Sequence, residues 1–340
     1  MRVLVTGGAG YIGSHTSVEL IKSGFEIIIV DNFINSSKKC IDKISDITKT
    51  KIKFHDCDLR DKQQLEEIFN MYKFDCIIHF AGLKAVGQSV VDPMKYYDYN
   101  VVSAINLIDV ALKKNVNNFI FSSSATVYGA EARFPYIETM KLGTPTSPYG
   151  ATKAAIENIL GDLSKNIDNF SAVSLRYFNP IGAHNSGLIG ENPMGIPDNL
   201  LPFISQVAVG KLEYLNVFGN DYPTEDGTCK RDYIHVSDLA NGHIAALKWL
   251  IKKKRLNSME VFNLGTGNPI SVFEIIRAFE KVTGKTISFK VTSRRDGDLP
   301  QFWADASKAE KNLKWKAIYD LNKMIEDTWN WQLNNPNGYE

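Results

Sequence analysis

Short apolar runs alternate with longer amphipathic stretches over the first half of the chain. Six of these runs have the length and composition of buried strands: Val3–Val5, Ile27–Val30, Ile52–Phe54, Cys76–Phe80, Phe119–Phe121 and Ala172–Leu175. Helical patterns separate them at about Ile12–Ser23, Asp61–Tyr72, Met94–Lys114 and Pro148–Asn166. This alternation predicts an α/β fold with a doubly wound parallel (Rossmann) sheet, because parallel strands need crossover helices and the crossovers share one hand.

The pattern changes after Pro180. The stretches 193–197 and 221–227 are rich in turn residues, and long ordered loops in a compact protein commonly belong to a binding site. Helical signals then return, because Ser271 and Glu274 form a capping box at the start of an amphipathic run.

The length of 340 residues fits two units of ordinary domain size. We expect a first, Rossmann domain at residues 1–180 and a smaller C-terminal mixed α/β domain at residues 181–340. We leave open that some segments, around 230–270, return to the first domain.

Overall charge and hydropathy exclude two classes of partner. Lysine and arginine number 39 and aspartate and glutamate number 38, which gives a formal charge of +1 and does not indicate a nucleic-acid surface. The dense basic run Lys252–Arg255 follows an apolar helical pattern, and we interpret it as a solvated helix end. No run of 18 apolar residues occurs, so we expect no membrane span.

The cysteines indicate a reducing compartment and no metal site. They number four, they have neither paired nor metal-ligand spacing, and they are Cys40, Cys57, Cys76 and Cys229. No basic and apolar leader precedes the first strand, which begins at once with Arg2–Val5. We therefore expect a cytoplasmic protein.

A glycine-rich segment, Thr6–Gly13, joins the first strand to the first helix. Glycines at positions 7, 10 and 13 permit a tight turn, close approach to a pyrophosphate and close helix–strand packing, while the helix N-terminus offers free N–H groups. Asp31 ends the second strand, where an acid accepts hydrogen bonds from a ribose 2′-hydroxyl and repels a 2′-phosphate. These features predict NAD rather than NADP; the alternative is a glycine-rich turn without a ligand.

A second motif follows the fifth strand. Ser147 and Pro148 predict the start of a helix, and Tyr149 and Lys153 then lie four residues apart on one face of it. A tyrosine ordinarily has a pKa of about 10. The ammonium of Lys153 and a nicotinamide positive charge would lower that pKa and make Tyr149 a base, while Ser124 hydrogen-bonds the reacting hydroxyl. The alternative is an ordinary buried helix pair.

With these motifs in place, the chain resembles the UDP-glucose 4-epimerase family of the extended short-chain dehydrogenases/reductases. The likeness runs from Met1 to Tyr339. The segments that carry it are Val5–His15, His79–Val86, Phe119–Gly129, Ser147–Lys153, Arg176–Ala183, Phe218–Val236 and Arg294–Asp305.

The resemblance implies reversible interconversion of UDP-galactose and UDP-glucose, a reaction of galactose metabolism. Tyr149 would remove the proton of the sugar 4-hydroxyl while hydride passes from carbon 4 to tightly bound NAD. The 4-keto sugar then turns its other face and hydride returns, with Lys153 tuning Tyr149 and the UDP supplying most of the anchoring. The resemblance also implies a homodimer through the helices at Met94–Lys114 and Pro148–Asn166.

The expected site falls into two sets. Cofactor contacts are expected from Gly7, Gly10, Tyr11, Ile12, Gly13, Asp31, Asn32, Asn35, Ser36, Asp58, Leu59, Phe80, Ala81, Gly82, Lys84, Asn100, Ser122, Tyr149, Lys153 and Phe178. UDP-sugar contacts in and around the second domain are expected from Lys84, Ser124, Tyr149, Asn179, Asn199, Leu200, Asn216, Val217, Phe218, Arg231, Arg295, Asp298 and Phe302.

Several alternatives bear on this interpretation. By the resemblance, the bulky Phe302 argues against UDP-N-acetylglucosamine, because a small residue there accompanies N-acetylated sugars. A nucleotide-sugar 4,6-dehydratase would carry an Asp-Glu pair after the serine, where this chain has Ala125-Thr126. An ordinary dehydrogenase would release its reduced cofactor at each turnover. A binding module that kept NAD without chemistry would be expected to lack Tyr149 or Lys153.

Overall fold

The structure is a computed structural model that describes residues 1–193, 195, 197, 199–253, 259–295 and 298–339. Strands among these residues are β1 Arg2–Thr6, β2 Glu26–Asp31, β3 Lys53–Asp56, β4 Cys76–His79, β5 Asn118–Ser124, β6 Ser171–Tyr177, β7 Asn179–Ile181, β8 Leu215–Phe218, β9 Lys230–His235, β10 Glu260–Leu264, β11 Pro269–Ser271, β12 Phe289–Thr292 and β13 Gln301–Phe302. The α-helices are α1 Tyr11–Lys22, α2 Lys38–Thr48, α3 Lys62–Met71, α4 Val86–Val91, α5 Pro93–Tyr96, α6 Ser103–Lys113, α7 Pro148–Asn166, α8 Leu200–Ala208, α9 Val236–Lys253, α10 Val272–Thr283, α11 Ser307–Leu313 and α12 Leu321–Asn334.

A parallel sheet with the order β10-β6-β5-β4-β1-β2-β3 organises the first half of the chain. Its inner strands are buried on both faces, since side chains alternate between two cores, whereas the edge strand β3 is largely exposed. Val3 and Val5 face a core shared with α1, α2 and α9, whereas Leu4 faces a core shared with α3, α6 and α7. The order reverses between β1 and β4, which is the switch point where such sheets bind ligands. The predicted doubly wound fold is confirmed.

Two smaller sheets follow. Strand β9 pairs with β7, β11 and β13, and β8 pairs with β12. A separate core lies between these strands and helices α8, α10 and α12. The capping box at Ser271 and Glu274 is present, and Gly284 ends α10 in the left-handed conformation.

Three features differ from the sequence-based expectation. Strand β10 adds a seventh, edge strand to the large sheet, beside β6. The helix predicted over Met94–Lys114 is divided into α5, a π-helical segment at Tyr97–Val102 and α6. Helices α2 and α4 were not predicted, and α2 buries only three side chains.

Within the described ranges, no helix is long and apolar enough to cross a membrane. The basic run predicted at Lys252–Arg255 begins in the last turn of α9. Its Lys254 and Arg255, like residues 194 and 196 of the turn-rich stretch, lie outside the described residues.

Candidate active site

The turn between β1 and α1 has no room for side chains. Gly7 adopts φ +69°, and a Cβ on it would lie 2.6 Å from the backbone nitrogen of Ala81. A Cβ on Gly13 would collide with the carbonyl oxygen of Gly7. The backbone nitrogen of Gly10 donates to that same carbonyl oxygen at 3.1 Å, which closes the turn. Because no side chain fits here, an anion at the N-terminus of α1 would be contacted by backbone N–H groups alone.

Asp31 joins the end of β2 to this turn. Its carboxylate accepts hydrogen bonds from the backbone of Ala9 at 3.0 Å and of Phe33 at 3.0 Å, and from the Ser36 hydroxyl at 2.9 Å. Burial raises the pKa of Asp31, and these hydrogen bonds oppose the rise. Asn32 follows Asp31 and is partly buried, while Asn35 is exposed on the same loop.

A carboxylate network borders the loop after β3. Asp58 accepts from Asn32 at 3.0 Å and from the guanidinium of Arg60 at 2.8 Å, and the Arg60 hydrogen bond lowers the pKa of Asp58 to about 2. Arg60 also donates to Asp98 at 2.5 Å and lies 3.6 Å from the ring centroid of Tyr99. Arg60 was not predicted, although its spacing of two residues from Asp58 was a usable signal.

The side chain of Asn100, a predicted cofactor contact, is hydrogen-bonded to the loop after β4. Its oxygen accepts from the Leu83 backbone nitrogen at 2.8 Å. Its amide donates to the Leu83 carbonyl at 3.1 Å and to the Thr152 hydroxyl at 3.0 Å. Because these bonds occupy the side chain, Asn100 holds the loop after β4 against α7. Gly82 in that loop passes close to it, with φ +152°.

The predicted catalytic residues meet at the carboxyl end of β5. The Ser147 hydroxyl caps α7 by accepting from the backbone nitrogen of Gly150 at 3.2 Å, with Pro148 in the first turn. Lys153 is buried one turn after Tyr149, and its ammonium donates to the Ser122 carbonyl at 2.8 Å. The ammonium lies 5.8 Å from the Tyr149 ring centroid.

Burial is the largest influence on the pKa values of this pair. Burial raises the pKa of Tyr149 to about 12, and a hydrogen bond with Ser124 only partly opposes that rise. Burial also lowers the pKa of Lys153 to about 8, so its ammonium loses a proton more easily than that of an exposed lysine. In the protein alone, desolvation therefore keeps the Tyr149 phenol protonated, and the lowering expected from Lys153 together with a nicotinamide charge stays a prediction.

A buried network below these residues was missed by sequence reasoning. Glu157 lies one turn beyond Lys153 and accepts from Ser123 at 2.6 Å, from Ser174 at 2.7 Å and from the Arg176 guanidinium at 2.6 and 3.0 Å. The side chains of Arg176 and Glu157 are only 5% and 1% exposed. Ser123 lies between Ser122 and Ser124, so the network fixes the strand segment that carries both.

Two further side chains complete this end of the sheet. The hydroxyls of Ser122 and Tyr177 are hydrogen-bonded to each other, so Ser122 keeps its side chain within the protein. Tyr177 and Phe80 both pack against the buried ring of His243, at centroid distances of 5.7 and 4.8 Å. Neither Tyr177 nor His243 was predicted, because each lies in a mainly apolar stretch of sequence that gives no signal of a site residue.

A second group of predicted residues lies on the small sheets. Arg231 of β9 is buried, donates to Asp298 at 3.2 Å and to the Leu299 carbonyl at 2.8 Å, and lies 4.6 Å from the Phe302 ring centroid. Arg295 lies 4.4 Å from the ring centroid of Phe218, the last residue of β8. The arrangement therefore offers two guanidinium groups and two aromatic faces.

The remaining predicted contacts occupy loop and strand ends. Asn216 and Val217 belong to β8, Asn179 begins β7, and Asn199 and Leu200 begin α8. Ile12 lies in the first turn of α1, Leu59 is buried after β3, and Ala81 follows β4. Tyr11 begins α1, and its hydroxyl donates to the Gly182 carbonyl at 2.6 Å.

Phe302 belongs to an aromatic cluster between the two groups. Its ring is stacked on Tyr136 at 5.9 Å with an interplanar angle of 4°, and it lies 5.9 Å from Phe178. Phe178 directly follows β6 and is buried. The cluster therefore forms an aromatic wall beside the carboxyl end of β6.

Lys84 and Asn199 share one partner. The ammonium of Lys84 and the side-chain amide of Asn199 each donate to the same carboxylate oxygen of Glu191, both at 2.6 Å. Glu191 was not predicted. The loop that carries it comes close to the start of α1, and the Glu191 charge contributes, after burial, to a raised pKa of Tyr11.

Comparisons with known proteins agree with this arrangement. A family model described as GDP-mannose 4,6 dehydratase matches residues 4–328. UDP-glucose 4-epimerase of Neisseria meningitidis serogroup C is 52% identical over 339 residues, which cover 100% of this chain and 99% of that protein. UDP-glucose 4-epimerase of Bacillus subtilis (strain 168) is 50% identical over 342 residues, with coverage of 100% and 99%.

Solved structures are similar over the same length. The UDP-glucose 4-epimerase from Bifidobacterium longum, in complex with NAD+ and UDP, has a TM-score of 0.95 at 48% identity and covers 99% of this chain and 100% of its own. The enzyme from Stenotrophomonas maltophila, with bound NAD and formylated UDP-arabinopyranose, has a TM-score of 0.95 at 46% identity and covers 99% of each chain.

Proposed function

The chain belongs to the UDP-glucose 4-epimerases of the extended short-chain dehydrogenase/reductase family, and on that premise we propose the reaction of its site and the roles of its residues. The protein is an isomerase that interconverts UDP-galactose and UDP-glucose through a transient 4-keto sugar, with tightly bound NAD. The observation that supports the proposal is the contact of Tyr149 with Ser124 and of Lys153 with Ser122 at the carboxyl end of β5.

The residues around β1 fit a dinucleotide. The turn excludes a Cβ at Gly7 and Gly13, so a pyrophosphate can approach the N-terminus of α1. The Asp31 carboxylate stands at the end of β2, where a ribose hydroxyl can donate to it. When bound, NAD supplies a hydride acceptor for carbon 4 of the sugar and then a hydride donor to its opposite face.

Tyr149 holds and moves the proton. Its phenolate takes the proton of the sugar 4-hydroxyl as that carbon is oxidised, and the phenol returns the proton as the carbon is reduced. With a pKa raised to about 12 in the protein alone, Tyr149 needs added positive charge to ionise near neutrality. The positive charge of a bound nicotinamide would add to that of Lys153, whose hydrogen bond to the Ser122 carbonyl fixes its ammonium 5.8 Å from the Tyr149 ring centroid. Ser124 orients the reacting hydroxyl.

The small sheets hold the nucleotide. Arg231 and Arg295 suit a diphosphate, because a guanidinium donates two parallel hydrogen bonds to such an anion. Asp298 orients Arg231, and Phe218 offers a stacking face near Asn216 for the uracil. An anchored UDP leaves the hexose free to turn about the pyrophosphate, which the exchange of faces requires.

The dehydratase alternative lacks its acid and base. Elimination of water needs one group to protonate the departing hydroxyl and another to take the proton at carbon 5. Beside Ser124 this chain has Ala125 and Thr126, and Ala125 is buried. The family model named for GDP-mannose 4,6 dehydratase therefore describes the shared scaffold, whereas residues at the site favour epimerisation.

We also propose a homodimer. Apolar side chains are exposed along α4, α5 and the helix that follows, among them Val90, Val91, Met94, Val102 and Ile105. Exposed apolar patches of this kind commonly mark protein interfaces. Light scattering at micromolar concentration should give twice the mass of one chain, and a monomer mass would contradict the proposal.

Domain organisation and location are part of the same proposal. Residues 1–180 bind NAD and residues 181–340 bind the UDP-sugar, with α9 and β10 packed on the first of these units. A cytoplasmic location is supported by four free thiols in an enzyme of sugar-nucleotide chemistry.

One assay tests the reaction. Purified, gel-filtered protein is mixed with UDP-galactose without added NAD, and the anomeric protons are followed by NMR. We expect conversion to a mixture with UDP-glucose over many turnovers per protein. Conversion that requires added NAD and releases reduced cofactor would indicate an ordinary dehydrogenase, and no conversion under either condition would contradict the epimerase.

A further inference from the structure

Glu191 is the common partner of two residues proposed to contact the nucleotide-sugar. One oxygen of its carboxylate accepts from Lys84 and from Asn199, each at 2.6 Å. The Glu191 side chain is only 9% exposed, whereas that of Lys84 is 56% exposed. A largely buried carboxylate therefore accepts from both of these donors.

The position of Glu191 is fixed by the C-terminal helix. The indole nitrogen of Trp331 in α12 donates to the Glu191 carbonyl at 3.2 Å. Gly190 packs so closely on the Trp331 ring that a side chain there would collide with it. The backbone nitrogen of Gly190 donates to the Tyr339 hydroxyl at 3.3 Å. The carboxylate is therefore presented by an anchored loop.

A fixed carboxylate at this place has a definite electrostatic effect. It neutralises Lys84 and occupies the amide of Asn199, so a diphosphate must compete with it for both donors. Two anions that share one cation repel each other, and the repulsion weakens binding of the incoming one. A site that must release a nucleotide-sugar product at each turnover gains from such a counter-charge, since tight binding of product limits turnover.

We propose that Glu191 is a counter-charge that occupies Lys84 and Asn199 in the free site and lowers the affinity for the UDP-sugar by competing with its diphosphate for these donors. The inference rests on the proposed function. It adds to that function a residue that sets nucleotide affinity without touching the reacting carbon.

The test measures binding of UDP to the NAD-loaded protein by titration calorimetry. Glu191→Gln keeps a side-chain oxygen that accepts from Asn199 but removes the charge. We expect UDP to bind about 10-fold tighter to this variant, because one repulsive charge is lost. The matched control is Glu326→Gln, which removes an exposed carboxylate 3.9 Å from Lys323 on α12 and should leave UDP affinity unchanged.

A double-mutant cycle with Lys84→Met identifies the route of the effect. If Glu191 acts through Lys84, the tightening caused by Glu191→Gln should shrink to less than 2-fold in the Lys84→Met background. Weaker or unchanged UDP binding by Glu191→Gln would overturn the proposal, as would equal tightening in both backgrounds. If Glu191→Gln only disturbed the structure, UDP would bind more weakly. The predicted tightening therefore distinguishes an electrostatic role of Glu191 from a structural one. Failure of the wild-type protein to bind UDP would instead overturn the proposed function.

Discussion

The two halves of the site hold their functional groups in different ways. At the carboxyl end of β5 and β6, Glu157 and Arg176 form a nearly dry ion pair, with side chains 1% and 5% exposed. On the small sheets, Arg231 and Asp298 form a longer pair at 3.2 Å, and Asp298 is 26% exposed. Proton transfer needs groups at fixed positions, whereas a nucleotide that enters and leaves needs groups that can exchange partners. Substitutions should therefore be tolerated better on the small sheets than in the buried network at the ends of β5 and β6.

The largest expected effect is on chemistry in the first half. Tyr149→Phe removes the proton acceptor while it keeps the ring, so epimerisation should fall about 10³-fold, within the range of general acid–base catalysis. Bound NAD should be retained, because the phenol oxygen is a small part of its contacts. The rate is measured with UDP-galactose, and NAD is released by denaturation and quantified. Activity close to wild type would remove Tyr149 from its role.

The buried network should matter next, through stability. Glu157→Ala leaves the Arg176 guanidinium buried without its carboxylate, so the free energy of unfolding should fall by about 3–5 kcal/mol. The control is Glu225→Ala, whose side chain is 82% exposed beside Lys230, and it should change by less than about 1 kcal/mol. Denaturant melts report both values. Equal losses of unfolding free energy in the two variants would contradict the predicted difference between the buried and the exposed ion pair.

The nucleotide half should respond in binding rather than in fold. Arg231→Ala removes a charged donor proposed for the diphosphate, and we expect KM for UDP-galactose to rise about 10- to 100-fold, as for loss of a charge-assisted hydrogen bond. The NAD content should stay at the wild-type level. A variant that lost NAD together with substrate affinity would show that the two halves are not separable.

The smallest expected effect concerns the aromatic wall between the two halves. Phe302 stacks on Tyr136 and Phe178, and Phe302→Cys opens space in that wall. We expect the variant to epimerise UDP-N-acetylglucosamine at a measurable rate, with a modest decrease for UDP-glucose. If a direct NMR assay detects no turnover of the N-acetylated sugar, Phe302 does not limit the pocket.

The fold was largely predictable because its signals are local. Buried parallel strands appear as continuous apolar runs, and the glycine-rich turn, Asp31 and the Tyr149–Lys153 pair have fixed spacings along the chain. Strand β10 was not among the predicted strands, although a return of residues around 230–270 to the first domain was left open, because edge pairing with β6 depends on residues far away in sequence. The interruption of the helix at Tyr97–Val102 was missed because its apolar pattern continues across the π-helical segment.

The site was predictable only where function has a local spacing. Glu157 and Arg176 lie 19 residues apart, and a glutamate on a helix usually faces solvent, so nothing in the chain announced their buried pairing. Glu191 meets Lys84 across 107 residues. The rise of the Tyr149 pKa in the protein alone could not be predicted for a related reason, because the desolvation that causes it depends on packing.

The central claim is that carbon 4 is oxidised and then reduced by one cofactor that stays in place. Running the conversion of UDP-galactose to UDP-glucose in D2O tests it most directly, because hydride returned from the cofactor carries no solvent deuterium. The account predicts product with ordinary hydrogen at carbon 4 after many turnovers, as measured by NMR. Deuterium at carbon 4 would contradict it, since inversion would then proceed by exchange of a proton with water.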